Sequence, residues 1–305
     1  MNHKNKDDYI SLRGLFPPVP TPFAGNEKLA LTHLKNNLTH LNNFDLQGYV
    51  ILGSNGEFVM LTEKEKIEVL NTARAAIPSD KLMIAGTGCQ STQETVRLTK
   101  LAAGIGANAA LIITPSYYKR QMSSDVLINH YLEVAKESPI PIIIYNMPAC
   151  TGIDLTAETV ATMAKNPNII GIKDSGGNIT KMAEIMRATG SNFQILAGSG
   201  GFLLPALSVG ARGGVMALAI IAPDQCQQIL EYFQKGDHQK AQNLQVKLVP
   251  VNAAVTSRWG VPALKAAMDY LGMYGGPVRL PLAPISEEIK QQLYAILEEN
   301  EIKKV

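Results

Sequence analysis

The sequence predicts a closed (β/α)8 TIM barrel with a C-terminal helical extension, an α/β fold, and three observations carry that expectation. Eight short apolar runs recur along the 305 residues, at 15–19, 48–52, 82–85, 109–114, 140–145, 169–173, 194–197 and 213–218. The runs are apolar on both faces and separated by helical patterns, as the strands of a parallel sheet covered on both sides must be. Such a barrel takes about 250 residues, and the eighth run is followed by helical patterns alone, over 223–236, 237–249, 261–271 and 286–299. Residues 1–222 are therefore expected to form the barrel with its catalytic rim, and residues 223–305 a helical region packed on it or building a subunit contact. An open, doubly wound sheet is the rival fold.

The connecting segments carry their own start and stop signals. Thr62 with Glu65, and Ser91 with Glu94, have the spacing of capping boxes, in which a hydroxyl accepts from a backbone N–H and the glutamate reaches back. Gly104-Ile105-Gly106-Ala107 and Gly210-Ala211-Arg212-Gly213 each place glycine where a helix must stop before the next strand. In the tail, Gly272, Gly275, Gly276, Pro277, Pro281 and Pro284 punctuate the last connection.

Composition narrows the function classes. A hydrophobic content of 46%, a charged content of 18% and a net charge of +2 describe a globular protein with no electrostatic message. Lys119-Arg120 and Lys303-Lys304 are too short, and too poor in interleaved aromatics, for a nucleic-acid surface. Cys89, Cys150 and Cys226 are odd in number and lack any CxxC spacing, which suits a reducing compartment better than a disulfide framework or a zinc site. No run is apolar for long enough to span a bilayer. Residues 1–14 have neither an apolar signal core nor an Arg-rich amphipathic pattern, so the cytoplasm is the expected location.

In a barrel the chemistry sits at the carboxyl ends of the strands. The sixth run, Ile169-Ile170-Gly171-Ile172, ends in Lys173-Asp174-Ser175-Gly176-Gly177. Alternation puts Gly171, Lys173 and Ser175 on one face and Ile170, Ile172 and Asp174 on the other. If the isoleucines face the helices, Lys173 points into an enclosed interior. Desolvation disfavours an ammonium, and a free amine attacks a ketone to give a Schiff base. The alternative is a strand-end lysine that snorkels to water. Gly53-Ser54-Asn55-Gly56-Glu57, after the second run, suits a nest of backbone N–H groups around a carboxylate, or else an ordinary Asn-Gly turn. Tyr145, ending the fifth run, is either a proton relay or a wall residue. Tyr117-Tyr118, after the fourth, offers a further phenol pair or an interface contact. Gly198-Ser199-Gly200-Gly201 resembles a phosphate loop, but no lysine or arginine lies nearby in sequence. Close backbone approach to a carbonyl substrate would need the same glycines.

The GSNGE loop, the YNMP strand end, the KDSGG strand end and the LAGSGG loop, in this order and spacing, resemble the family of dihydrodipicolinate synthase and N-acetylneuraminate lyase. The resemblance covers residues 14–284. Within the family, GSNGEF, the stretch from Ser123-Ser124 to His130-Tyr131, KDSGG and Asn252-Ala253-Ala254-Val255-Thr256 are most similar to 4-hydroxy-2-oxoglutarate aldolases, which cleave that acid to pyruvate and glyoxylate. The resemblance implies Lys173 as the Schiff-base lysine, Tyr145 as the proton relay, and Ser54 and Asn55 as the pair holding the carboxylate of pyruvate. It also implies substrate contacts at Ser175 and Gly198, a backbone carbonyl contact at Met216, and an intersubunit tyrosine at Tyr118, with Tyr117 as the alternative. It implies homotetramers built as dimers of dimers, and no metal or organic cofactor.

One position departs from the pattern. Synthases of the lysine pathway carry an arginine shortly after YNxP that receives the carboxylate of the second substrate, and here that position is Cys150. A thiol offers neither a bidentate fork nor a positive charge. The expected function is thus a class I, pyruvate-dependent aldolase acting on 4-hydroxy-2-oxoglutarate. Condensation of pyruvate with aspartate semialdehyde is the alternative, and a non-catalytic keto-acid sensor a third. Asn146 is more synthase-like than aldolase-like.

Overall fold

The computed structural model describes residues 10–304. Eight parallel strands alternate with helices: β1 (Gly14–Leu15), β2 (Gly48–Ile51), β3 (Leu82–Gly86), β4 (Ala109–Ile113), β5 (Ile142–Asn146), β6 (Ile169–Asp174), β7 (Gln194–Ala197) and β8 (Gly213–Gly214). They pair in chain order from β2 to β8, and β8 then pairs with β1. The ring closes between β1 and β2, where Val19 N–H donates to Val50 O at 3.0 Å and Val50 N–H donates to Pro17 O at 3.0 Å. The fold is a TIM barrel, with Leu12, Phe16, Val50, Ile84, Leu111, Ile143, Leu196 and Val215 packed inside it.

Helices α1 (Leu31–Leu41), α2 (Glu63–Ala76), α3 (Thr92–Ile105), α4 (Ser124–Glu137), α5 (Pro148–Thr151), α6 (Ala157–Met163), α7 (Ile179–Thr189) and α8 (Leu203–Ser208) cover the strands. Their apolar faces meet the outward residues of the sheet, such as Tyr49, Ile112, Ile144 and Ile172. At α2 the expected capping box is complete. At α3 only half of it forms: Ser91 accepts from Glu94 N–H at 3.1 Å, but the Glu94 carboxylate turns to Arg97. The guanidinium is the stronger, charge-assisted donor.

Two strands are shorter than their apolar runs. In the run 15–19, Pro17 and Pro18 have no N–H to give a ladder, so β1 ends at Leu15 and continues only as a bridge from Pro18 to Val50. In the run 213–218, the chain leaves the sheet after Val215. Ala219 N–H then donates to Met216 O, and α9 (Leu218–Ile221) begins. Glycine is needed at Gly213, because a β-carbon there would lie 1.9 Å from Gly14 O.

The pattern at β6 also differs from strict alternation. Ile142 stands opposite Ile169 and Ile143 opposite Gly171, which leaves Ile170 as an extra, bulged residue. Ile170 therefore joins the inner cluster while Ile172 faces the helices, although alternation put both on one face. The bulge precedes Lys173 and does not change the face on which it lies.

The tail forms α10 (Pro223–Gln234), α11 (His238–Ala253), a π-turn at Ala254–Arg258, α12 (Gly260–Leu271) and α13 (Glu287–Glu299). Helix α11 runs past Pro250, where a stop was expected, and the π-turn absorbs the disturbance one turn later. No helix among the described residues is long and apolar enough to cross a membrane.

Candidate active site

Lys173 lies in register with Tyr145 on β5 and Leu196 on β7, both inner-face residues, and only 4% of it is exposed. The strand-end lysine does not snorkel to water. Its Nζ stands 4.0 Å from the centre of the Tyr145 ring, and among the described residues no carboxylate pairs with it. Tyr145 is itself buried, and its hydroxyl lies 3.2 Å from Ser54 Oγ. Three strand-end signals scattered along the sequence thus meet at one point: an amine, a phenol and the loop after β2.

That loop differs in detail from a simple glycine nest. Ser54–Gly56 is a 3-10 turn in which Gly56 N–H donates to Gly53 O at 2.9 Å and Glu57 N–H to Ser54 O at 3.1 Å. The turn uses those two donors internally and leaves the Ser54 and Asn55 N–H groups at its open end, beside the Ser54 hydroxyl. The left-handed conformations fall on Leu52 (φ 62°) and Glu57 (φ 52°), while Gly53 is extended. Backbone strain of this kind persists only when surrounding contacts enforce it.

Those contacts come from the tail. Glu57 and Lys265, whose side chains are 2% and 1% exposed, pair at 2.5 Å, and Arg279 N–H donates to the other Glu57 oxygen at 2.9 Å. Burial pulls the Lys265 ammonium below the usual lysine range, with Glu57 opposing. Phe23 lies between Lys265 Nζ and the Arg279 guanidinium, 4.5 and 4.3 Å from its ring centre. Arg279 also forks onto Glu65, whose carboxyl it pulls down to about 2.

A second brace holds the ends of β5 and β6. Asn146 donates to Asp154 at 2.7 Å and to Asp174 at 3.1 Å, and the buried Lys181 bridges the same two carboxylates. Burial tends to raise the Asp154 carboxyl, but its bonds from Lys181 and Asn146 outweigh that and hold it low. Asp174 also accepts from Gly176 N–H at 2.7 Å, which fixes the first turn of the loop after Lys173.

The remaining expected residues fall into two groups. Ser175 and Gly198 adjoin: Ser175 Oγ is buried without a partner among the described residues, and a β-carbon on Gly198 would lie 2.0 Å from it. Asn252 on α11 bonds to Ser199 at 3.0 Å and Gln245 donates to Gly200 O at 2.8 Å, so the tail braces this loop as well. Met216, by contrast, has its side chain in the outer core, and its carbonyl accepts from Ala219 N–H at 3.2 Å. Tyr117 and Tyr118 stack edge to face at 5.1 Å and are 80% and 69% exposed, so a single chain does not bring Tyr118 to the amine.

A family model described as the dihydrodipicolinate synthetase family matches residues 11–300. The chain belongs to this family. It is 37% identical over 286 residues to the 4-hydroxy-tetrahydrodipicolinate synthase of Methanothrix thermoacetophila, covering 93% of this chain and 96% of that one. It is 35% identical over 297 residues to a protein named probable mitochondrial 4-hydroxy-2-oxoglutarate aldolase of Emericella nidulans, covering 95% and 96%. Among solved structures, a dihydrodipicolinate synthase of Bacillus anthracis superposes with a TM-score of 0.91 at 29% identity, covering 95% and 98%.

Membership of the dihydrodipicolinate synthetase family makes this a Schiff-base-forming lyase that uses pyruvate. The expected aldolase subfamily is not established by the relatives, most of which are named synthases. Sequence reasoning missed Lys181, Asp154, Lys265 and Arg279. Each is a charged residue in a largely apolar or loop context, the signal that singled out Lys173, but their partners lie on other elements and cannot be paired by spacing.

Proposed function

We propose that this enzyme condenses pyruvate with aspartate semialdehyde, the reaction for which most of its named relatives are called synthases. The placement of Lys173 on the inner face, buried and beside the hydroxyl-linked pair Tyr145 and Ser54, carries the pyruvate half of that reading. The Lys173 amine attacks C2 of pyruvate, the carbinolamine loses water, and the iminium accepts the C3–H electron pair while the proton passes to the released water, leaving an enamine. The enamine carbon then bonds to the aldehyde carbon, and the amino group of the semialdehyde can close on C2 and expel the lysine. Ser54 and Asn55 hold the pyruvate carboxylate at the open end of their turn. Tyr145 moves protons during carbinolamine collapse, a role for which its bond to Ser54 orients it. Ser175, with its unpartnered hydroxyl against Gly198, contacts substrate, and the Met216 backbone borders the pyruvate unit. Tyr118 completes a neighbouring copy's site in a homotetramer, which suits its exposure.

Cys150 favours a second reading, the retro-aldol cleavage of 4-hydroxy-2-oxoglutarate to pyruvate and glyoxylate by the same lysine, because it removes the arginine fork with which the resembled synthases receive the carboxylate of the semialdehyde. Purified enzyme offered pyruvate with aspartate semialdehyde, and separately 4-hydroxy-2-oxoglutarate, separates the two. Preferential turnover of the semialdehyde upholds the synthase reading. Pyruvate release from the hydroxy acid with no use of the semialdehyde overturns it.

A further inference from the structure

The corner after β5 lacks a cation of its own, yet it receives one from another loop. Gly152, two residues beyond Cys150, has φ 65°. A β-carbon on it would lie 2.7 Å from Lys119 Nζ and 3.0 Å from Lys119 Cδ. The glycine therefore leaves a slot over the α5 corner, and the end of the Lys119 side chain, coming from the loop after β4, lies across it.

We propose that Lys119 supplies the positive charge that binds the carboxylate of the aldehyde component, in place of the arginine that Cys150 replaces. The proposal rests on the pyruvate Schiff-base reading and deepens it. Three other cations near the rim are committed: Lys181 to Asp154 and Asp174, Lys265 to Glu57, Arg279 to Glu65. Lys119 is exposed, and among the described residues no carboxylate lies within ion-pairing distance of it. Its neighbour Arg120 is equally unpaired, but it is the Lys119 ammonium that lies over the corner.

The corner follows directly on the strand that carries Tyr145, since α5 begins at Pro148, two residues after β5 ends at Asn146. Burial raises the Cys150 thiol, and the charge of Lys173 pulls it back down. A ligand spanning from Lys173 to the Cys150–Gly152 corner would place its far end under Lys119. The ligand class is a short aldehyde bearing a carboxylate, which both aspartate semialdehyde and glyoxylate satisfy. A lysine acts here as a point charge on a flexible stem, so it can follow carboxylates at different distances where an arginine fork would fix one geometry.

The test is steady-state kinetics of Lys119→Ala and Lys119→Arg, using whichever of aspartate semialdehyde and glyoxylate the wild-type enzyme condenses with pyruvate faster. Loss of one charge-assisted contact is expected to raise the KM for that aldehyde about tenfold or more in Lys119→Ala. The KM for pyruvate and the yield of borohydride-trapped pyruvate adduct stay at wild-type values, and Lys119→Arg stays within about threefold. Salt should raise the aldehyde KM of the wild type, and this dependence should flatten in Lys119→Ala, which a merely structural role would not produce. An unchanged aldehyde KM in Lys119→Ala, or an equal loss for pyruvate, overturns the proposal while leaving the Schiff base intact. Absence of any trapped adduct in the wild type removes the underlying reading and the proposal together.

Discussion

Replacing Lys265 with methionine tests whether the tail enforces the shape of the loop after β2. The two side chains are close in volume, so the substitution opens little cavity and removes mainly charge. What remains is Glu57, 2% exposed at its side chain, with one donor left, the Arg279 N–H at 2.9 Å. Among the described residues its other oxygen has Lys265 as its only close partner, at 2.5 Å. Breaking a buried pair from one side costs about 3–5 kcal/mol, because the surviving charge stays out of water uncompensated. Removing both charges, as Glu57→Gln with Lys265→Met, is expected to recover most of that, to within about 1 kcal/mol of wild type. Urea unfolding at one fixed protein concentration reads both values from the shift in midpoint at constant slope. Activity should fall in the single variant even where it is folded, since Glu57 is the left-handed residue that ends the Ser54–Gly56 turn. A single-variant cost below about 1 kcal/mol would refute the reasoning.

Two further outcomes follow from the same geometry. His130 is buried with Nδ1 2.9 Å from Thr92 Oγ1 and Nε2 unpartnered among the described residues, and burial lowers its pKa to about 4. Because the unfolded chain takes up this proton near pH 6.5 and the folded chain only near 4, the contribution is present in full above about 6.5 and is lost as pH falls toward 4. It amounts to on the order of 3 kcal/mol; unfolding of wild type and His130→Gln across that window should give curves that converge toward acid, and parallel curves would contradict it. Gly198→Ala sets a β-carbon 2.0 Å from Ser175 Oγ and 2.7 Å from Asp174 O. It should cost about 1–3 kcal/mol, and adding Ser175→Ala should recover only part, because the backbone contact remains; full recovery would show that the hydroxyl alone sets the limit.

The barrel was legible because each strand is apolar on both faces, a pattern that survives even where the ladder does not. Pro17-Pro18 shorten β1 for want of N–H donors, and β8 is short because the chain turns out of the sheet after Val215 into α9, neither for reasons of hydrophobicity. Lys173 was legible as a charge ending an apolar run. The bulge at Ile170 was not, since nothing in Ile169-Ile170-Gly171-Ile172 marks which residue is extra. The braces were invisible for a different reason: Arg279 reaches Glu57 across 222 positions, and Asp154, Asp174 and Lys181 sit on a loop, a strand end and a helix that only the fold brings together. Tyr118 belongs to a third kind, because its ring is exposed and a single chain does not bring it to the amine.

The central claim is that the amine buried beside Tyr145 bonds covalently to pyruvate. Borohydride reduction in the presence of pyruvate, followed by mass mapping of peptides, tests it most directly. The account predicts a reduced pyruvate adduct on the peptide containing Lys173, abolished in Lys173→Arg together with turnover. An unmodified Lys173 peptide, or full turnover by Lys173→Arg, would contradict it.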